Sequence, residues 1–193
     1  MTDSHSPAPP ILTLPKTSTQ IRPFHTSSSE YATLAAAANN TSISKNMRNG
    51  FPSPYTIESS ETWISFVQSQ SQTTDFAISL ASTNELIGAI GLKPKPDVYY
   101  RSMELGYWIS EEHWGKGIAG EAVPAFCEWV FGEFKNVLRI EAEVFDGNEG
   151  SRRVLEKAGF VAEGRKKWAV EKNGVVLDVW VYALLRDGGV GEP

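Results

Sequence analysis

The stretch YWISEEHWGKGIAGEA, residues 107 to 122, sets Gly115, Gly117 and Gly120 between an alternating strand pattern and a long apolar helix pattern. Glycine inside a helix costs about 0.5–1 kcal/mol, so three in six residues at a helix start exceed what a turn needs. Glycines at such a place let backbone N–H groups approach an anion, and the helix beginning near Ile118 turns its positive dipole end toward that anion. The spacing also matches the G-x-G-x-x-G dinucleotide fingerprint, with Glu141 near the distance of about 20 residues expected for a ribose ligand. Context argues against that reading. Ser110 to Trp114 separate Ile109 from Gly115, whereas the fingerprint follows its strand directly. The strand alternates Met103, Leu105, Tyr107 and Ile109 against Glu104, Gly106, Trp108 and Ser110, which is half-exposed or site-lining, not a buried parallel strand.

Around this element the order is β, helices, β-β-β, α, β, α, β-β, a mixed α/β pattern without uniform βαβ alternation. ILTLPKTSTQIRPF predicts a first strand; SSSEYATLAAAANN predicts a helix, and TSISKNMRNGFPSPYT a short helix with a loop. SSETWISFVQSQ predicts another helix behind a serine cap. DFAISLA, ELIGAIGL and SMELGYWIS follow as strands, with Asn84 at the first turn. The long helix GIAGEAVPAFCEWVFGEF should kink at Pro124. VLRIEAEVF is a strand, NEGSRRVLEKAG a helix closed by Gly159, and the chain ends in a hairpin turning at Asn173–Gly174. Residues 1–10 are expected to form a disordered tail, 11–187 one domain and 188–193 a flexible end.

Composition narrows the function. A chain of 193 residues that is 41% hydrophobic builds one domain with a proper core. A net charge of −5 without a Lys/Arg run suits neither nucleic acid nor a membrane surface, because both require neutralised phosphates. Cys127 has no partner cysteine and lies in an apolar helical pattern, and the three histidines lack metal-ligand spacing. No apolar run reaches 18 residues, and MTDSHSPAPP has no signal-peptide pattern, so a soluble cytoplasmic protein is expected.

ELGYWISEEHWGKGIAGEAV at 104–123 and RIEAEVFDGNEGSRRVLEKAGFVAEG at 139–164 resemble the GCN5-related N-acetyltransferase (GNAT) superfamily. With IRPF at 21–24 and NMRNGFPSPYT at 46–56, the similarity is to the branch holding ribosomal-protein N-terminal acetyltransferases, the RimJ/RimL-like proteins. The resemblance implies a largely antiparallel sheet of about seven strands, splayed in the middle, with flanking helices. It also implies acetyl-CoA as co-substrate. Its pyrophosphate would lie on Gly115, Lys116, Gly117, Ile118, Ala119 and Gly120, with Trp114 standing where the superfamily usually has Gln or Arg. A backbone N–H near Trp108 or Ile109 would face the thioester carbonyl, and Asn148 and Ser151 would meet the cofactor arm and sulfur. Asn148 is equally a good helix N-cap.

Transfer of an acetyl group to an amine needs a base for the ammonium, a donor to the oxyanion and a proton for the departing thiolate. Glu104 is the expected base, with Glu141 and Glu143 as alternatives. The tyrosine that many superfamily members place after the asparagine is missing, which leaves Ser151 as the group nearest the sulfur. The ribosomal-type base in the final hairpin falls at Val170–Glu171, where valine cannot act. Arg48, Phe51, Tyr55 and Trp168 are candidates for the acceptor side, and His113 for a bystander. The expected function is transfer from acetyl-CoA to a primary amine of a small molecule or peptide N-terminus, by a monomer or homodimer. The alternative is a non-catalytic acyl-CoA sensor or scaffold, which would make Glu104 and Ser151 dispensable.

Overall fold

Pro15 breaks the N-terminal apolar run, and with Ser18 at a φ of 53° the chain reverses instead of continuing as one strand. The result is a hairpin of Leu12–Leu14 (β1) and Thr19–Arg22 (β2). Three helices follow: Ser28–Ala38 (α1), Thr41–Ser44 (α2) and Ile57–Ser69 (α3). Ser27 caps α1 by accepting the Glu30 N–H at 3.2 Å, and Asn40 caps α2 by accepting from Ser42 at 2.7 Å. The cap of α3 is Thr56, not a serine. Ser59, the first residue of the segment where the serine cap was expected, stands three residues after Thr56 and completes a reciprocal box with it.

Asp75–Leu80 (β3), Leu86–Pro94 (β4) and Ser102–Ile109 (β5) form the expected strands, with Asn84 at a φ of 62° in the first turn. Ile118–Glu133 (α4) runs continuously through Pro124, whose missing N–H costs only the bond to the Gly120 carbonyl. Arg139–Phe145 (β6), Glu149–Lys157 (α5), Val161–Lys172 (β7) and Val175–Leu185 (β8) complete the chain. The computed structural model describes residues 9–187; the expected tails at 1–10 and 188–193 lie outside them, save Pro9 and Pro10.

The eight strands make one sheet in the order β1-β2-β3-β4-β5-β6-β8-β7, one strand more than expected because of the break at Pro15. Every pairing is antiparallel except β5 with β6. Helices cover both faces. On one, Phe126 and Trp129 of α4 pack on Phe76 of β3, with ring centroids 5.9 and 5.3 Å away. On the other, α1 and α3 bury Leu34, Ala38, Ile64 and Val67 against Ala77 and Leu86.

Arg22, at the end of β2, is only 1% exposed. It forks onto Glu30 of α1 at 2.7 and 3.0 Å and donates to the Pro23 and Asn84 carbonyls. This joins the sheet to α1 and to the β3–β4 turn. Glu30→Ala should cost about 3–5 kcal/mol in urea unfolding, because it strands a buried guanidinium rather than merely deleting a surface pair.

Candidate functional site

The parallel seam between β5 and β6 is short. Ser102, Met103 and Glu104 pair with Arg139, Ile140 and Glu141, and then the strands part. Beyond Glu104, β5 continues with β4 to Ile109, while β6 stays with β8 to Phe145. The bonds from Ser110 N–H to the Ile87 carbonyl (2.8 Å) and from Lys95 N–H to the Ser102 carbonyl (3.2 Å) set the alternation along β5. Even-numbered residues therefore direct their amides at β4, and odd-numbered ones at the gap. Of the two expected oxyanion donors, Ile109 N–H faces the gap beside that of Tyr107, and Trp108 N–H is spent on β4.

On the α4 side, Gly115 and Gly117 adopt φ of 74° and 80°, so the chain turns left-handed twice before α4. Gly117 is the N-cap and supplies no side-chain hydrogen bond, leaving the amides of Ile118, Ala119 and Gly120 without a capping group. A Cβ at Gly115 or Gly120 would meet nothing within 4 Å, and one at Gly117 only Thr17 Cγ2 at 4.0 Å. Open space therefore lies beside these glycines. Trp114 cannot imitate Gln or Arg. Its indole N–H instead donates to the Ile109 carbonyl at 2.7 Å, pinning the loop to the end of β5. Lys116 Nζ lies 3.4 Å from His113 Nδ1 on the surface.

Asn148, three residues beyond β6, caps α5 by accepting the Ser151 N–H at 3.2 Å. Ser151 Oγ lies 2.9 Å from the Tyr107 hydroxyl, which also donates to the Ser151 carbonyl at 3.3 Å. Burial pushes the Tyr107 phenol up to about 12, so it stays protonated across the neutral range. The alternation placed Tyr107 with the core residues of β5, which hid its hydroxyl. The available signal was a tyrosine on the strand bordering the gap.

On the opposite face, Glu104, Glu141 and Glu143 point away from α4 and α5. Arg48, from the loop after α2, bonds Glu104 Oε1 and also Glu143 Oε2 at 2.9 Å, spanning the opening. Lys166 of β7 reaches Glu143 Oε1 at 2.6 Å. Burial pushes the Glu143 carboxyl up, but Lys166 and Arg48 outweigh it and hold it below its ordinary value. Glu141 lies where the strands still pair, engaged by Lys95 and by Arg139 at 2.7 Å. Of the four acceptor-side candidates, Arg48 is at the opening. Phe51 packs beside it, 5.9 Å from the Trp108 ring, while Tyr55 is buried behind Phe51. Trp168 lies apart, 82% exposed on a bulge of β7.

A family model described as an acetyltransferase (GNAT) domain matches residues 19–161. The chain is 39% identical over 134 residues to a probable N-acetyltransferase, YjcK, of Bacillus subtilis (strain 168), covering 68% of this chain and 74% of that one. It is 31% identical over 104 residues to the ribosomal-protein-serine acetyltransferase of Escherichia coli (strain K12), covering 54% of this chain and 57% of the relative. Among solved structures, Mycobacterium smegmatis RimJ in complex with CoA-disulfide superposes with a TM-score of 0.76 at 24% identity, over 90% of this chain and 85% of that one.

The ion pairs at the seam make stability acid-sensitive. Partial burial pushes the Glu141 carboxyl up, yet Lys95 and Arg139 together hold it below its ordinary 4.5. A depressed folded-state value contributes stability above pH 4.5 that disappears as pH falls through that value. Glu141→Gln should therefore lower the urea midpoint at pH 7 and shallow its decline toward pH 3.

Proposed function

The chain belongs to the GNAT acetyltransferase family, in the RimJ/RimL-like branch, and from that premise we propose that it moves the acetyl group of acetyl-CoA onto a primary amine. The acceptor is a small molecule or a peptide N-terminus, and the amine attacks the thioester directly. The observation that carries this reading is the gap itself. An uncapped helix N-terminus opens at one end, the Tyr107 and Ile109 amides line one edge, and carboxylates stand on the far face. These features fit a diphosphate, an extended amide-bearing arm and an amine respectively.

Acetyl-CoA supplies the activated acyl carbon and a thiolate leaving group. The amides of Gly115 to Gly120 hold its diphosphate through backbone groups and the helix dipole, a role indifferent to the tryptophan at 114. Ile109 N–H is placed to donate to the carbonyl oxygen as negative charge develops there. Glu104 takes the ammonium proton. Arg48 binds its Oε1, and among the described residues no hydrogen bond engages Oε2, which leaves that oxygen for the amine or an intervening water. Asn148 fixes the start of α5, and when the Tyr107 hydroxyl donates to Ser151 Oγ in place of the Ser151 carbonyl, the Ser151 proton is free for the sulfur. Donation from Ser151 assists departure, but a thiolate of pKa near 8.5 needs little help at neutral pH.

The test is release of free CoA thiol from acetyl-CoA over amino acids, polyamines, amino sugars and short peptides. Gly117→Glu should abolish turnover and acetyl-CoA binding while the protein stays folded, since it puts a carboxylate where a diphosphate would lie. Wild-type affinity in that variant sinks the loop assignment. Glu104→Gln should lower kcat by about 10²–10⁴-fold with acetyl-CoA affinity retained. Tight binding with no thiol release on any amine is the outcome a non-catalytic sensor requires.

A further inference from the structure

Beside the carboxylates lies a second feature that the transfer chemistry does not use, a cleft of about 250 Å³ lined by Arg48, Asn49, Phe145, Val170, Glu171 and Lys172. Lys172, at the end of β7, is only 8% exposed. Charged side chains are almost never buried to that degree unless paired. Its ammonium donates to the Asn49 side-chain oxygen at 3.1 Å, and among the described residues no carboxylate lies within salt-bridge distance. An ammonium has three donors, so a neutral amide leaves both its charge and part of its hydrogen-bonding capacity uncompensated. Glu171 is exposed at the rim and does not pair with it.

Arg48 lines the same cleft and links it to the gap. Its guanidinium bonds Glu104 and Glu143, while Asn49, the next residue, holds Lys172. The two carboxylates and the buried ammonium are thus joined through adjacent residues. We propose that the cleft is an anion subsite of the acceptor site, and that the preferred acceptor carries a carboxylate close to its reacting amine. The acceptor ammonium takes over Glu104 and Glu143 from Arg48. The released guanidinium and Lys172 then receive the acceptor carboxylate, against an apolar wall of Phe145 and Val170. Each ion pair broken on binding is replaced by another, so the net charge of the site is unchanged, and a cationic acceptor lacking an anion leaves Arg48 and Lys172 unsatisfied. This assignment rests on the acetyltransferase reading for its acceptor, but not for its anion.

The test compares alanine, an Ala-Asp dipeptide amide and alaninamide as acceptors. The first carries an α-carboxylate, the second a side-chain carboxylate and the third none. The wild type should favour one or both carboxylate-bearing amines over alaninamide by about tenfold in kcat/KM, the worth of a charged hydrogen bond. Whichever amine shows the preference identifies the source of the anion. Lys172→Met should bring the ratio to near one, and Lys172→Arg should keep it. Equal use of charged and neutral acceptors by the wild type overturns the proposal, and so does an unchanged ratio in a folded Lys172→Met protein. If no amine is acetylated, the acetyltransferase reading fails, and calorimetry on the CoA-loaded wild type still decides the subsite. Alanine binding more tightly than alaninamide supports it, and equal or absent binding of both overturns it.

Discussion

The parting of β5 and β6 after three residue pairs is the constraint on which the rest of the molecule depends. Each of these strands is fully committed on its outer edge, β5 to β4 and β6 to β8, so neither can bend across to close the seam. Two antiparallel ladders are thereby joined along a short parallel junction, with α4 as the crossover that parallel strands require. The unpaired amides this leaves on β5 would be a liability in a buried sheet, since backbone donors there need partners. They are tolerable where a ligand can complete the ladder.

Side chains span the opening differently on its two faces. On one, the Tyr107 hydroxyl reaches Ser151 and ties β5 to the start of α5. On the other, Arg48 reaches Glu104 and Glu143 from a loop that belongs to neither strand. Half-exposed ion pairs of this kind contribute little to stability, about 0–1 kcal/mol each. Their weight lies in placement, because they hold carboxylates from two diverging strands within reach of one group. The protein keeps its costly buried pair elsewhere, at Arg22 and Glu30, where it joins helix to sheet and not substrate to site.

Much of this was legible in the residue order. The alternation of Met103 to Ile109 gave the strand and its two faces, and the three glycines gave the turn and the open helix end. Asn148 caps α5, as its position at the start of that helix suggested. Errors arose where one pattern has two physical meanings. Pro15 within an apolar run reads as part of one first strand until Ser18 turns the chain back, and Tyr107 packs on the core as its face predicted while its hydroxyl also reaches Ser151. Backbone direction is invisible to alternation, so Trp108 and Ile109 were equal candidates until pairing with β4 separated them.

By itself, the sequence determined what is local: which segments are strands or helices, where the chain must turn left-handed, and which helix start lacks a capping side chain. These follow from periodicity and from the steric freedom of single residues, and need no distant partner. Tertiary structure alone decided that Arg48 stands between two glutamates on different strands, and that Lys172 is buried with no carboxylate in reach among the described residues. The reason is that Coulomb energy and desolvation depend on separations in space, and spacing along the chain leaves those undetermined for residues as far apart as 48 and 143.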